Sequence, residues 1–303
     1  MDLSNKVAIV TGSGQGLGLA YAKELARQGA AVVINDVNQE TADKAVAEIA
    51  SEGGRAVAVV APVGSTETAK ALVAAAVENF GRLDVIVTNA GILRDKVLWK
   101  MTDDDFDAVI NVHLRGTFTC VREAVAQFRE QGEGGRIICI GSPAGQRGNF
   151  GQTNYAAAKA GIVGMVRTWA MELQRAGITA NAVCPVAATA MTETIPFLAP
   201  YVEGMRNGEP LPPVIRREVG MGTPEDVAGV IAFLASDAAA DVTGQAISIG
   251  GDRLALWSHP QLTATAFHDN GFSADEVAAE WPATFAGQIE TVGEEFPAEV
   301  LSK

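Results

Sequence analysis

Val7-Ala8-Ile9-Val10-Thr11-Gly12-Ser13-Gly14-Gln15-Gly16-Leu17-Gly18-Leu19-Ala20 joins an apolar run to a turn with glycine at every second position, and then to the start of a helical pattern. A strand that enters a helix through such a turn leaves backbone N–H groups uncovered at the helix's positive end, where a pyrophosphate could approach them. Glycines also serve turns that need positive φ without any ligand. Their position between the first strand and the first helix gives this loop its weight.

The same strand-then-helix rhythm continues outward from the loop. Further short apolar runs occupy Ala31–Asn35, Ala56–Val60, Leu83–Thr88, Arg136–Ile140, Thr179–Val183 and Ala246–Ile249. Between them, stretches such as Leu17–Gln28, Glu40–Glu52, Thr66–Phe80 and Tyr155–Ala176 carry helix-forming composition. Continuous apolar strands alternating with helices imply a parallel sheet covered on both faces. The expectation is a single-domain, doubly wound α/β (Rossmann) fold with a seven-stranded parallel sheet over residues 1–252. Residues 253–303 are expected to form a C-terminal helical extension of that domain, with Ser273 and Glu276 as a capping box. The proline-rich stretch 186–221 breaks the rhythm, and composition fits a substrate flap or a plain surface excursion equally.

A formal net charge of -13 argues against nucleic-acid or anionic-membrane partners, which need a basic surface. No apolar run is long enough to span a bilayer and no signal-peptide pattern opens the chain. The expected setting is therefore cytoplasmic, with a small molecule as partner. Cys120, Cys139 and Cys184 stand apart among apolar neighbours and read as buried thiols, with no metal site expected.

Asp36 ends the second strand about 20 residues beyond the glycines, where a carboxylate can bond the ribose hydroxyls of an adenine dinucleotide. It would repel a 2′-phosphate, and no Arg or Lys lies between Thr11 and Leu19 or between Val32 and Asp43, so NAD is favoured over NADP. Tyr155 and Lys159, four apart, share one helix face. An ammonium beside a phenol favours the phenolate and lowers the phenol's pKa toward neutrality, which suits a general acid/base for a carbinol. Ser142 follows a strand's carboxyl end and either holds a substrate oxygen or caps a turn.

Together these pieces resemble the short-chain dehydrogenase/reductase family: Thr11 to Gly18, Asn89-Ala90-Gly91, Ser142, and Tyr155 with Lys159. The resemblance implies an NAD-dependent oxidoreductase interconverting a secondary alcohol and a ketone. Tyr155 would exchange the proton, Lys159 would bind the nicotinamide ribose, and Ser142 would orient the substrate. Cofactor contacts would come from Gly12, Ser13, Gln15, Gly16, Leu17, Gly18, Asp36, Asn89, Ala90 and Gly91. Pro62 stands where many members carry an adenine-contacting aspartate, leaving Val63 to make that contact. The resemblance also implies a homotetramer, or failing that a dimer, with an interface on the helices Val109–Glu130 and Tyr155–Ala176.

A closer likeness is to the (3R)-hydroxyacyl-CoA dehydrogenase unit of peroxisomal multifunctional enzyme type 2 and its 17β-hydroxysteroid dehydrogenase relatives. It rests on GSGQGLGLAY at 12–21, Asn35-Asp36, GILRD at 91–95, VHLRG at 112–116 and GNFGQ at 148–152. That likeness implies a 3-hydroxyacyl-CoA or steroid-like substrate; a 3-oxoacyl reductase, another secondary-alcohol dehydrogenase and a non-catalytic dinucleotide sensor are the alternatives. His113 stands where most members have the asparagine of a catalytic tetrad, so either a structural or a proton-relay role is open to it. Thr189 or Thr192 could stand in for the threonine that meets the carboxamide.

Overall fold

The structure is a computed structural model that describes residues 1–188 and 198–301. Eight strands form one sheet: β1 (Val7–Val10), β2 (Ala31–Asp36), β3 (Arg55–Val60), β4 (Val85–Thr88), β5 (Gly135–Ile140), β6 (Ile178–Pro185), β7 (Ala246–Gly250) and β8 (Arg253–Leu256). Their order is β3-β2-β1-β4-β5-β6-β7-β8, with β1 through β7 parallel. The expected seven-stranded sheet thus gains an eighth strand, antiparallel to β7, from residues assigned to the helical tail. Gly251 and Asp252 make the reversal, and the Arg-Leu-Ala-Leu of β8 stays largely exposed at the sheet edge.

Alternate residues of β1 face opposite cores. Ala8 and Val10 join Leu25, Ile34 and Ile231 beneath α1 (Gly16–Arg27) and α9 (Pro224–Ala235). Val7 and Ile9 join Leu72, Phe128 and Val166 beneath α3 (Thr66–Phe80), α5 (Gly116–Gln131) and α7 (Thr153–Leu173). This two-sided burial explains why the strands read as unbroken apolar runs. Chain order reverses between β1 and β4, which opens a crevice at their carboxyl ends.

The helix expected over Val109–Glu130 is not continuous. α4 (Asp103–Val109) passes through a π-helical turn, Ile110–Arg115, into α5. The widened turn rotates the residues it contains relative to a regular helix. In the 186–221 stretch, α8 (Ala199–Arg206) and a second π turn, Ile215–Val219, are described; Thr189 and Thr192 lie outside the described residues.

Beyond β8, Ser273 caps α10 (Ala274–Thr284) with the expected capping box. The chain then returns to the domain, and Val300 of α11 (Ala298–Leu301) is fully buried against Leu198, Ile215, Val219 and Met221. Among the described residues no helix is long and apolar enough to cross a membrane, and no cluster of potential metal ligands occurs. The three cysteines are buried and unpaired.

Candidate active site

Between β1 and α1 the glycines answer two different demands. At Gly18 a Cβ would lie 2.2 Å from the carbonyl oxygen of Gly12, and at Gly12 (φ 61°) 2.7 Å from Ala90 Cα, so both permit close internal packing. Gly16 also has positive φ (59°), but a Cβ there would meet nothing within 4 Å. Its bare side therefore faces the crevice, where α1 begins without a side-chain cap on Gln15. Uncapped helical amides beside an unobstructed backbone fit a phosphate-bearing ligand.

A second turn braces this loop. The Thr11 hydroxyl accepts from the amides of Asn89 (2.9 Å) and Ala90 (3.1 Å), and Asn89 Nδ2 donates to the carbonyls of Thr11 (3.0 Å) and Gly12 (2.9 Å). Asp36 accepts from the amides of Gly14 (3.1 Å) and Asn38 (3.0 Å). These elements line a cleft of about 500 Å³ that includes Gly12, Gln15, Gly16, Leu17, Gly18 and Asp36. Val63, Asn89, Ala90 and Gly91 line it as well, and no Arg or Lys does among the described residues. Ser13, an expected cofactor contact, is placed elsewhere. Fully buried, its hydroxyl donates to Val10 (2.6 Å) and accepts from the Asn35 amide (3.1 Å), and its amide donates to Asn35 (2.8 Å). It pins the loop to β2 and has nothing left to offer a ligand.

The second cavity, about 180 Å³, shares Leu17, Asn89 and Gly91 with the first and contains Ser142, Tyr155, Lys159 and His113. Ser142 ends the loop after β5 and caps α6 (Pro143–Arg147), accepting from the Ala144 amide at 3.2 Å. Its side chain also faces the Tyr155 phenol closely enough to lower the phenol's pKa, so the capping role does not turn it away from the cavity. One turn along α7 from Tyr155, the buried Lys159 ammonium donates to Ile140 at 2.6 Å and lies 5.5 Å from the phenol ring centre.

The lowered phenol pKa expected from the sequence is not found. Loss of hydration pushes Tyr155 up to about 12, with the nearby Ser142 hydroxyl opposing only in part. Burial also depresses Lys159 to about 8. At neutral pH the pair is a phenol and an ammonium, so the tyrosine is poised to give a proton.

His113 hangs from the π turn into this cavity. Its Nε2 lies 2.8 Å from the Ile92 carbonyl and 3.0 Å from the Ile92 amide, its ring stands edge-on to Tyr155 (centroids 5.2 Å apart, 88°), and Gly91 is bare where its Cε1 packs. Burial, reinforced by the Lys159 charge, holds its pKa down at about 3. The imidazole therefore stays neutral at physiological pH and cannot relay protons as an imidazolium. Its Nδ1 is buried with no partner among the described residues. Asn111 is exposed, lies against Gly64 and does not line the cavity.

Against this geometry, residues 12–251 match a family model whose description is Enoyl-(Acyl carrier protein) reductase. The chain belongs to the short-chain dehydrogenase/reductase family. It is therefore an oxidoreductase of that family. It is 42% identical over 301 residues to hydroxyacyl-CoA dehydrogenase ChsB1 of Mycobacterium tuberculosis, covering 95% of this chain and 90% of that one. With a 3-oxoacyl-[acyl-carrier-protein] reductase of Synechocystis it shares 44% identity over 252 residues, covering 82% and 97%. The peroxisomal multifunctional enzyme type 2 of Mus musculus is 44% identical over 204 residues, 64% of this chain and 27% of that protein. A crystal structure of a short chain dehydrogenase from Mycobacterium avium superposes with a TM-score of 0.82 at 32% identity, covering 98% of this chain and all of that one.

Sequence reasoning missed part of the second cavity's wall. Leu198, Val219, Glu294 and Phe296 also line the second cavity. Leu198 and Val219 sit in a stretch with no readable period, and Glu294 and Phe296 in a tail segment whose return to the domain leaves no pattern in composition.

Proposed function

We propose that this enzyme is an NAD-dependent dehydrogenase that interconverts a secondary alcohol and a ketone, with 3-hydroxyacyl-CoA thioesters as the leading substrate class. The observation that carries the reading is the convergence of Ser142, Tyr155 and Lys159 in a cavity that adjoins the glycine-loop cleft through Leu17, Asn89 and Gly91. Gly12, Gln15, Gly16, Leu17 and Gly18 would hold the dinucleotide's pyrophosphate, Asp36 its adenosine ribose, Val63 its adenine and Lys159 its nicotinamide ribose. When bound, the nicotinamide supplies or receives the hydride. Tyr155, neutral at pH 7, gives its proton to a carbonyl oxygen that Ser142 holds and is reprotonated from solvent; in the opposite direction it must first lose its proton to solvent, and the phenolate then takes one from the carbinol.

Preference for NAD is supported by the Asp36 carboxylate and by the lack of a cation among the described cleft residues, since a 2′-phosphate would meet a negative charge with nothing to offset it. The hydroxyacyl-CoA assignment is supported by the 42% identity to a protein of that name across nearly the whole chain. A 3-oxoacyl reductase is the second reading, favoured by the 44% identity to such a reductase over 252 residues.

The reading extends to a cytoplasmic homotetramer or dimer. An open apolar groove of about 480 Å³ on the α4–α5–α7 face, with Ile110, Leu114, Met165 and the exposed Phe118, supports a subunit interface there. Light scattering of the purified protein tests the assembly. The deciding assay follows NAD and NADP reduction with a panel of 3-hydroxyacyl-CoA esters, hydroxysteroids and simple secondary alcohols. Turnover of the CoA esters with NAD is expected, and a panel in which they alone are inert overturns the substrate reading.

A further inference from the structure

A strap formed by residues 291–301 closes the substrate cavity from outside, fastened at both ends. At one end Arg147, the last residue of the short helix that Ser142 caps, donates through Nε to the Gly293 carbonyl (2.6 Å) and through Nη2 to the Thr291 carbonyl and hydroxyl (both 3.3 Å). The Gly293 amide returns a bond to the Arg147 carbonyl at 2.8 Å. At the other end, Val300 is buried in the cluster of Leu198, Ile215, Val219 and Met221. Glu294 and Phe296 lie between these fastenings and face the cavity.

Apart from Lys159, Glu294 is the one charged residue among the described lining residues. The residue is exposed at the rim, yet loss of hydration raises its carboxyl pKa despite the nearby Arg147 and Arg253. Those arginines do not consume it: Arg147 pairs with Glu295 (3.7 Å) and bonds the strap, Arg253 donates to the Glu218 carbonyl, and Glu294 makes no hydrogen bond or ion pair to a described residue. A partly desolvated carboxylate facing a small cavity repels an anionic group and accepts from a neutral N–H or O–H donor.

We propose that Glu294 is a specificity-determining residue: through it the strap selects neutral derivatives of a hydroxy acid, such as thioesters and amides, over the free carboxylate. The assignment rests on the oxidoreductase reading of this site but not on which alcohol is its natural substrate. It accounts for why a carboxylate is held at a mouth whose remaining wall is apolar or uncharged.

The test compares kcat/KM for matched pairs, a 3-hydroxyacyl thioester and its free 3-hydroxy acid, in wild type, Glu294→Gln and Glu294→Lys. The thioester-to-acid ratio is expected to fall about three- to tenfold in the glutamine variant and further in the lysine variant, and the drop should shrink at high salt, as for a partly solvated charge. A ratio that does not move in step with charge overturns the proposal. A secondary alcohol too short to reach the rim serves as the control, with kcat/KM expected to change less than twofold; an equal loss there would mark a merely structural role and also overturns it. If thioesters are not turned over at all, the substrate reading fails, and the same ratio measured on any ester and acid pair that is turned over still judges Glu294.

Discussion

The glycine-loop cleft and the cavity holding Tyr155 touch, yet they are built differently. The first is lined by the end of β2, the start of α1 and the loops after β1, β2, β3 and β4, joined by Val112, Ala188 and Pro224. Its glycine loop presents bare backbone, held by Thr11, Asn89 and Ser13. The second gathers residues from Leu17 to Phe296, and its chemistry lies in side chains. A backbone wall fixes a ligand common to a family, whereas a wall of distant side chains can change without disturbing the fold. The two halves should therefore fail separately.

Tyr155→Phe gives the largest expected separation. Turnover should fall by about a thousandfold or more, while NAD binding, followed by fluorescence titration, stays within a few fold. Equal losses in both would mean that the two halves are not independent. Asp36→Ala breaks the other side: NAD should bind about ten- to hundredfold more weakly, with kcat at saturating cofactor little changed and discrimination against NADP relaxed. A wild type that already prefers NADP refutes the electrostatic argument.

His113 stands between the halves and is read by pH. Its folded pKa of about 3 lies below the ordinary 6.5, so the neutral form is favoured by folding. The associated stability is present above pH 6.5 and is lost as pH falls toward 3. Between pH 6.5 and 4.5 wild type should lose roughly 2–3 kcal/mol more than His113→Asn, measured by urea denaturation. Carbonyl reduction should show no step near pH 6.5, and should decline on the alkaline side as Lys159 loses charge near 8. The smallest effect belongs to Ser273→Ala, which removes the cap of α10: about 1 kcal/mol of local helix stability, read by hydrogen exchange, with activity unchanged because that helix buries no residue.

Most of the fold was legible because parallel strands buried on both faces must be apolar throughout, and all seven such strands lie where apolar runs predict them. β8 was not, because an exposed edge strand of four residues leaves only a weak alternation. The glycine loop could be placed because backbone geometry restricts its positions to few residue types, and Asp36 because it is a carboxylate ending the strand that follows that loop. Ser13 misled, since a hydroxyl in such a loop can serve the fold or a ligand and the letters do not distinguish them. The Tyr155 pKa direction was misjudged because the neighbouring charge is visible in sequence and the extent of dehydration is not. Glu294 and Phe296 were beyond reach, as only tertiary packing brings them beside residues more than a hundred positions earlier.

The Arg147 clasp joins residues 146 positions apart, so its closure carries a loop entropy that no local helix or hairpin offsets. Its fastenings are a guanidinium and a terminal helix of four residues. Such a segment can detach at a free-energy cost well below that of global unfolding, while β1 through β7 stay intact. A bulky thioester could then enter sideways through the momentarily opened wall, which would make substrate admission a matter of how often the strap lets go.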